Sequence, residues 1–122
     1  DYFKDPAVQV AIKAAMDKFP DSEKVQGSAI QLLRHIDDIL KELDPEIPGL
    51  VLQAMKRFPE SYNVQYFAID LLEIIQELNN SEIPRLVVKA MEKFSDKKDL
   101  QDYSLYYLLH YLVFDSMKQW TY

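Results

Sequence analysis

Residues 47–75 read IPGLVLQAMKRFPESYNVQYFAIDLLEII. The first half carries Val51, Ala54, Met55 and Phe58 at steps of three, one and three, the spacing of one apolar stripe on a helix of 3.6 residues per turn. Pro48 stands in the first turn, where a helix loses nothing by lacking an N–H. After the link FPES, with Ser61 as an N-cap, a second and longer stripe follows: Val64, Ala68, Leu71, Leu72, Ile75 and Leu78. The stretch predicts two helices joined by a tight turn.

The same phrase returns on both sides. AMKRFP at 54–59 is echoed by AMDKFP at 15–20 and AMEKFS at 90–95, so that Ala15, Ala54 and Ala90 lie 39 and 36 residues apart. VQYFAIDLLEII from Val64 is echoed by VQGSAIQLLRHI from Val25 and LQDYSLYYLLHY from Leu100, at the same offsets of 39 and 36. IPGL at 47–50 recurs as IPRL at 83–86. Three phrases in common register mark internal repeats, and the three extra residues of the longer period fall in the first connector, within 37–46. The first helices of the outer units repeat the stripe as Ile12, Ala15, Met16, Phe19 and Val87, Ala90, Met91, Phe94. Their second helices repeat it as Val25, Ala29, Leu32, Leu33, Ile36, Leu40, Leu43 and Leu100, Ser104, Tyr107, Leu108, Tyr111, Phe114. Asp21 or Ser22, and Ser95 or Asp96, are the expected caps of the first and third long helices. No segment alternates with period two, so no sheet is expected.

The chain of 122 residues is one domain's worth. Hydrophobic residues make up 48% and charged residues 28%, with 2 Gly and 6 Pro, an ordinary globular composition that suits helices. A net charge of −6 disfavours nucleic-acid backbones and anionic membranes as partners. Without cysteine there is no disulfide, thiolate nucleophile or cysteine zinc site, which is compatible with the cytoplasm or nucleus. A chain that opens at Asp1 without an initiator Met is open to being a fragment of a longer array.

A helix pair of this size cannot hide its apolar side alone, and stacking similar pairs buries it. The expectation is an all-α solenoid of three stacked helix-pair repeats in a single domain over 1–122, with units at about 7–43, 47–79 and 83–117. On residues 47–75 the chain resembles the second and third helices of an armadillo repeat, with the HEAT family a close neighbour. Ile47-Pro48, Val64-Gln65, Ala68 and Leu71-Leu72 carry the likeness, with Ile83-Pro84 and Leu100-Gln101 in the third unit and Val25-Gln26, Ala29 and Leu32-Leu33 in the first. The first helix of a full repeat is reduced here to connectors such as LDPE and NNSE. The resemblance implies a non-catalytic scaffold that binds a partner protein or peptide along a concave face of the long helices. Importin-like members carry a Trp and, four residues on, an Asn there. This chain has Gln31, Asp70 and Tyr106 at the first position and His35, Ile74 and His110 at the second, so that asparagine ladder is absent.

The candidate partner-binding residues are therefore Gln31, His35, Asp70, Glu73, Ile74, Glu77, Tyr106 and His110. Asp70, Glu73 and Glu77 fall on one side of the second long helix and make a basic peptide the favoured ligand, although a merely solvated acidic face explains them too, as it does Asp37, Asp38 and Glu42. His35 and His110 are the only histidines and lack the tight spacing of a metal site. No Gly-rich phosphate loop, nucleophile motif or basic aromatic patch is found, so no catalytic, cofactor or metal residue is assigned.

Gln26, Gln65 and Gln101 recur in the first turn of each long helix and predict a structural hydrogen bond between units. Met16, Met55 and Met91 share one stripe position and predict core. The C-terminal stretch YSLYYLLHYLVFDSMKQWTY is apolar on too many sides for an end cap. A following repeat, a partner or self-association surface through Tyr107, Tyr111, Phe114 and Trp120, and compact packing within the monomer are its three readings. The alternative function is thus an assembly segment that docks copies or neighbouring repeats through this helix.

Overall fold

A computed structural model describes residues 5–36, 43–75 and 81–120, with side chains as far as Val113. The described residues form helices α1 (Pro6–Lys18), α2 (Glu23–Arg34), α3 (Ile47–Arg57), α4 (Tyr62–Ile74), α5 (Glu82–Lys93) and α6 (Lys98–Trp120), with no strand among them. Helix starts follow local chemistry. The Asp5 carboxylate accepts the Ala7 N–H at 2.9 Å ahead of Pro6, and Asp44 accepts the Glu46 N–H at 2.9 Å ahead of α3. Ser22 and Ser61 accept from Val25 and Val64, each at 3.2 Å. The third long helix departs from expectation. The Gln101 N–H bonds the Lys97 carbonyl as Gln26 bonds Ser22 and Gln65 bonds Ser61, so Lys97, not Ser95 or Asp96, holds the cap position, and its side chain has no oxygen to offer.

The three pairs turn the same corner. Phe19, Phe58 and Phe94 end the short helices with φ/ψ of −123°/59°, −121°/59° and −113°/48°. Across each corner a glutamine amide donates to two carbonyls: Gln26 to Met16 and Phe19 at 3.1 and 2.9 Å, Gln65 to Met55 and Phe58 at 2.9 and 3.0 Å, and Gln101 to Met91 and Phe94, both at 3.0 Å. The need is chemical. A methionine carbonyl in the last turn would take the N–H four residues on, and in the first two pairs that residue is Pro20 or Pro59, which has none. The bond expected between units is thus a clamp inside each one.

The long helices α2, α4 and α6 lie tightly side by side. The short helices α1, α3 and α5 each pack on the long helix that follows and touch one another lightly. The middle pair is the best covered: Val64, Ala68, Ile69 and Leu71 have no exposure at all. Met16 and Met55 are core, whereas Met91 is half-buried. Leu32, expected on the buried stripe, is 36% exposed, because the first pair has no described neighbour on that side. The long helices also end sooner than their stripes, at Arg34 and Ile74, so Leu43 lies beyond α2. Leu40 and Leu78 fall outside the described residues. Helix α6, free of Gly and Pro, runs on to Trp120, past the expected limit at 117.

Three stability changes follow. Gln65→Leu strands two carbonyls at a buried corner and should cost about 2 kcal/mol, read from the urea midpoint. Gln101→Leu should cost less, because Gln101 is half-buried and residue 95 is a serine with an N–H. Ser104 is fully buried with its hydroxyl unpartnered, at the repeat position of Ala29 and Ala68. Ser104→Ala should raise stability by about 1 kcal/mol by removing an unsatisfied polar group.

Candidate partner-binding face

The exposed side of the long-helix layer collects most of the sequence-derived candidates. Gln31 and His35 are exposed on and just after α2, and Gln31 borders a hollow of about 330 Å³ between α2 and α4 with Ser28, Asn63 and Phe67. Tyr106 is 56% exposed on α6 and meets the His110 ring edge-on, with centroids 4.4 Å apart. Ile74 is half-buried. Glu77 lies outside the described residues. Tyr107 is buried and Tyr111 half-buried, while the side chains of Phe114 and Trp120 lie outside those described.

The carboxylates are drawn into the layer. Asp70 is 8% exposed, and its Oδ2 lies 3.0 Å from Arg34 Nε on the neighbouring helix. Glu73 Oε1 lies 3.1 Å from His110 Nδ1 on α6. Neither nitrogen is aligned for a hydrogen bond, so these are charge contacts across helix junctions, and the second is ionic only when His110 is protonated. Arg34 was not legible as a partner of Asp70 from spacing within one helix. Its signal was the repeat register: Arg34 and Glu73 hold the same position with opposite charge.

A second link, unforeseen in the sequence, joins α4 to α6. Tyr66 and Tyr103 meet edge-on with centroids 5.3 Å apart, and Tyr66 also stacks against Tyr62 at 5.5 Å. Burial pushes the Tyr66 phenol up to about 12, helped by its hydrogen bond to Tyr103 and by Asp70 nearby. Burial likewise raises Tyr62 and Tyr107.

Among the described residues no group of three or more His, Asp or Glu is placed to hold a metal. No described helix is long and apolar enough to cross a membrane. Gln31, His35 and Tyr106 are the sequence-derived candidates that stay exposed, while Asp70 and Glu73 lie against Arg34 and His110.

The raised tyrosines lead to an expected loss of stability at alkaline pH. A phenol raised in the folded state keeps its proton there longer than in the unfolded chain, so its stabilising effect is complete below the ordinary value near 10 and is lost as pH climbs through the folded value. Lys13 and Lys98, raised by their bonds to Glu46 and Asp102, act with the same sign. The urea midpoint should hold between about pH 7 and 9 and fall above about 10, and Tyr107→Phe should flatten that fall. Comparison with protein-family models, curated proteins and solved structures gives no match to this chain.

Proposed function

We propose that the three helix pairs form an armadillo/HEAT-like α-solenoid, and that the chain is a non-catalytic module holding an extended segment of a partner protein along the long-helix layer. The observation that supports this best is the alignment of α2, α4 and α6 with Gln31, His35 and Tyr106 left exposed across it. A tyrosine presents a rigid amphipathic contact at low entropic cost, and a primary amide can bond a peptide main chain through both its ends. With Asp70 and Glu73 between these anchors and a net charge of −6, the favoured segment carries Lys or Arg. Because Arg34 already offsets Asp70, a basic peptide gains selectivity and association rate from the acidic face more than affinity.

The test uses labelled unstructured peptides, basic and acidic, at matched length. Basic peptides should bind, and the double variant Gln31→Lys with Tyr106→Ala should weaken them at least about tenfold with the helical circular dichroism unchanged, since both side chains are exposed. Equal binding by the variant, or preference for the acidic series, would refute the reading.

A further inference from the structure

The two junctions between helix pairs are built alike. At the first, Gly27 on α2 faces Val64 on α4, whose Cγ2 would lie 3.7 Å from a Cβ added at the glycine. Ile30 on α2 and, on α4, the front of the second pair (Val64, Ala68 and Leu71) all have 0% exposure, and the two helices pack closely. At the second junction Ile69 stands where Ile30 did, and Leu100, Ser104 and Tyr107 form the front, with at most 3% exposure. Among the ion pairs at each junction, one recurs at the same repeat positions in both. Asp21 in the first linker pairs with Arg57 at the end of α3, and Glu60 in the second linker pairs with Lys93 at the end of α5 at 2.5 Å.

The ends of the row display the two halves of such a junction, with no described element packed on either. The front of the first pair, Val25, Ala29 and Leu32, opens with Ala11, Ile12 and Ala15 onto a shallow apolar hollow of about 450 Å³. The back of the last pair shows Leu105, at the position of Ile30 and Ile69, 58% exposed, with Leu109 and Leu112 at 55% and 63%. Their charges match as well. Lys18 holds the repeat position of Arg57 and Lys93, and Asp96 holds that of Asp21 and Glu60; both are exposed and neither joins an ion pair among the described residues. Lys24 and Asp102 stand where Asn63 and Gly27 border one hollow at the first junction.

We propose that a second copy of this chain docks head to tail, seating the Val25–Ala29–Leu32 face of one molecule on the Leu105–Leu109–Leu112 face of the next, with Lys18 opposite Asp96. This third junction repeats the two inside the molecule. Its two sides differ, so the contact is heterologous, leaves one face open at each end and propagates into chains.

Sedimentation at about 0.15 M salt, where charges are screened beyond about 8 Å, tests this over concentrations up to about 1 mM. The mass of the unaltered chain should rise steadily with concentration. Leu32→Asp and Leu105→Asp, each at an exposed site, should both be monomers, and an equimolar mixture should give a one-to-one dimer that grows no further, since one intact head and one intact tail remain. Should Leu32→Asp disturb α2, charge reversal supplies the same readout: Lys18→Glu or Asp96→Lys weakens association several-fold, and the two together in one chain restore it. An unaltered chain that stays monomeric, a symmetric dimer untouched by Leu32→Asp or Leu105→Asp, or variants that mixing does not rescue would each overturn the proposal.

Discussion

One side-chain amide at each helix corner holds the architecture in register. The first two short helices end against Pro20 and Pro59, which leave a methionine carbonyl without its helical donor. The glutamine ten residues on supplies the missing N–H, and its second hydrogen takes the phenylalanine carbonyl of the corner itself. Because both acceptors are backbone atoms, the clamp fixes where the second helix begins and how it leans on the first. Three copies give three corners of nearly equal backbone geometry.

Equal corners make equal faces. The apolar groups between neighbouring long helices supply the energy: each fully buried isoleucine or leucine contributes about 2 kcal/mol before entropy, whereas an exposed pair such as Lys93 with Glu60 contributes at most about 1 kcal/mol. The ion pairs therefore choose the register of a contact that the hydrophobic faces make favourable. Lys13 with Asp44 and Glu46 does the same at the first junction, and Lys56 with Glu82 at the second. Exposure along the row follows. The same stripe position is half-buried at Val25 and fully buried at Val64 and Leu100, because among the described residues only the latter two have a neighbouring pair in front.

The same packing sets what the outer face of the long helices can offer. Asp70 is spent largely on Arg34, and Glu73 lies against His110, so the acidic residues there tie helices together as well as facing solvent. Gln31, His35 and Tyr106 stay exposed there.

Much of this was written in the linear chain. Helical periodicity, the serine caps at Ser22 and Ser61 and the prolines in first turns are local matters, fixed by neighbours within a turn or two, and the three-fold echo of phrases located the pairs. The recurring glutamine was visible as a structural residue, but its acceptors were not: a hydrogen bond to a corner carbonyl depends on the angle between two helices. Junction contacts lay further from reach. That Arg34 meets Asp70, that Tyr66 meets Tyr103, and that Leu32 and Leu105 stay in the open all depend on which helix stands beside which, and the sequence period says only that pairs repeat. The sequence by itself determined the helices, their caps and their repeating stripes, because those interactions close over a few residues. Only the tertiary structure decided which side of each stripe is covered and which charge finds a partner, because burial and ion pairing belong to the space between helices.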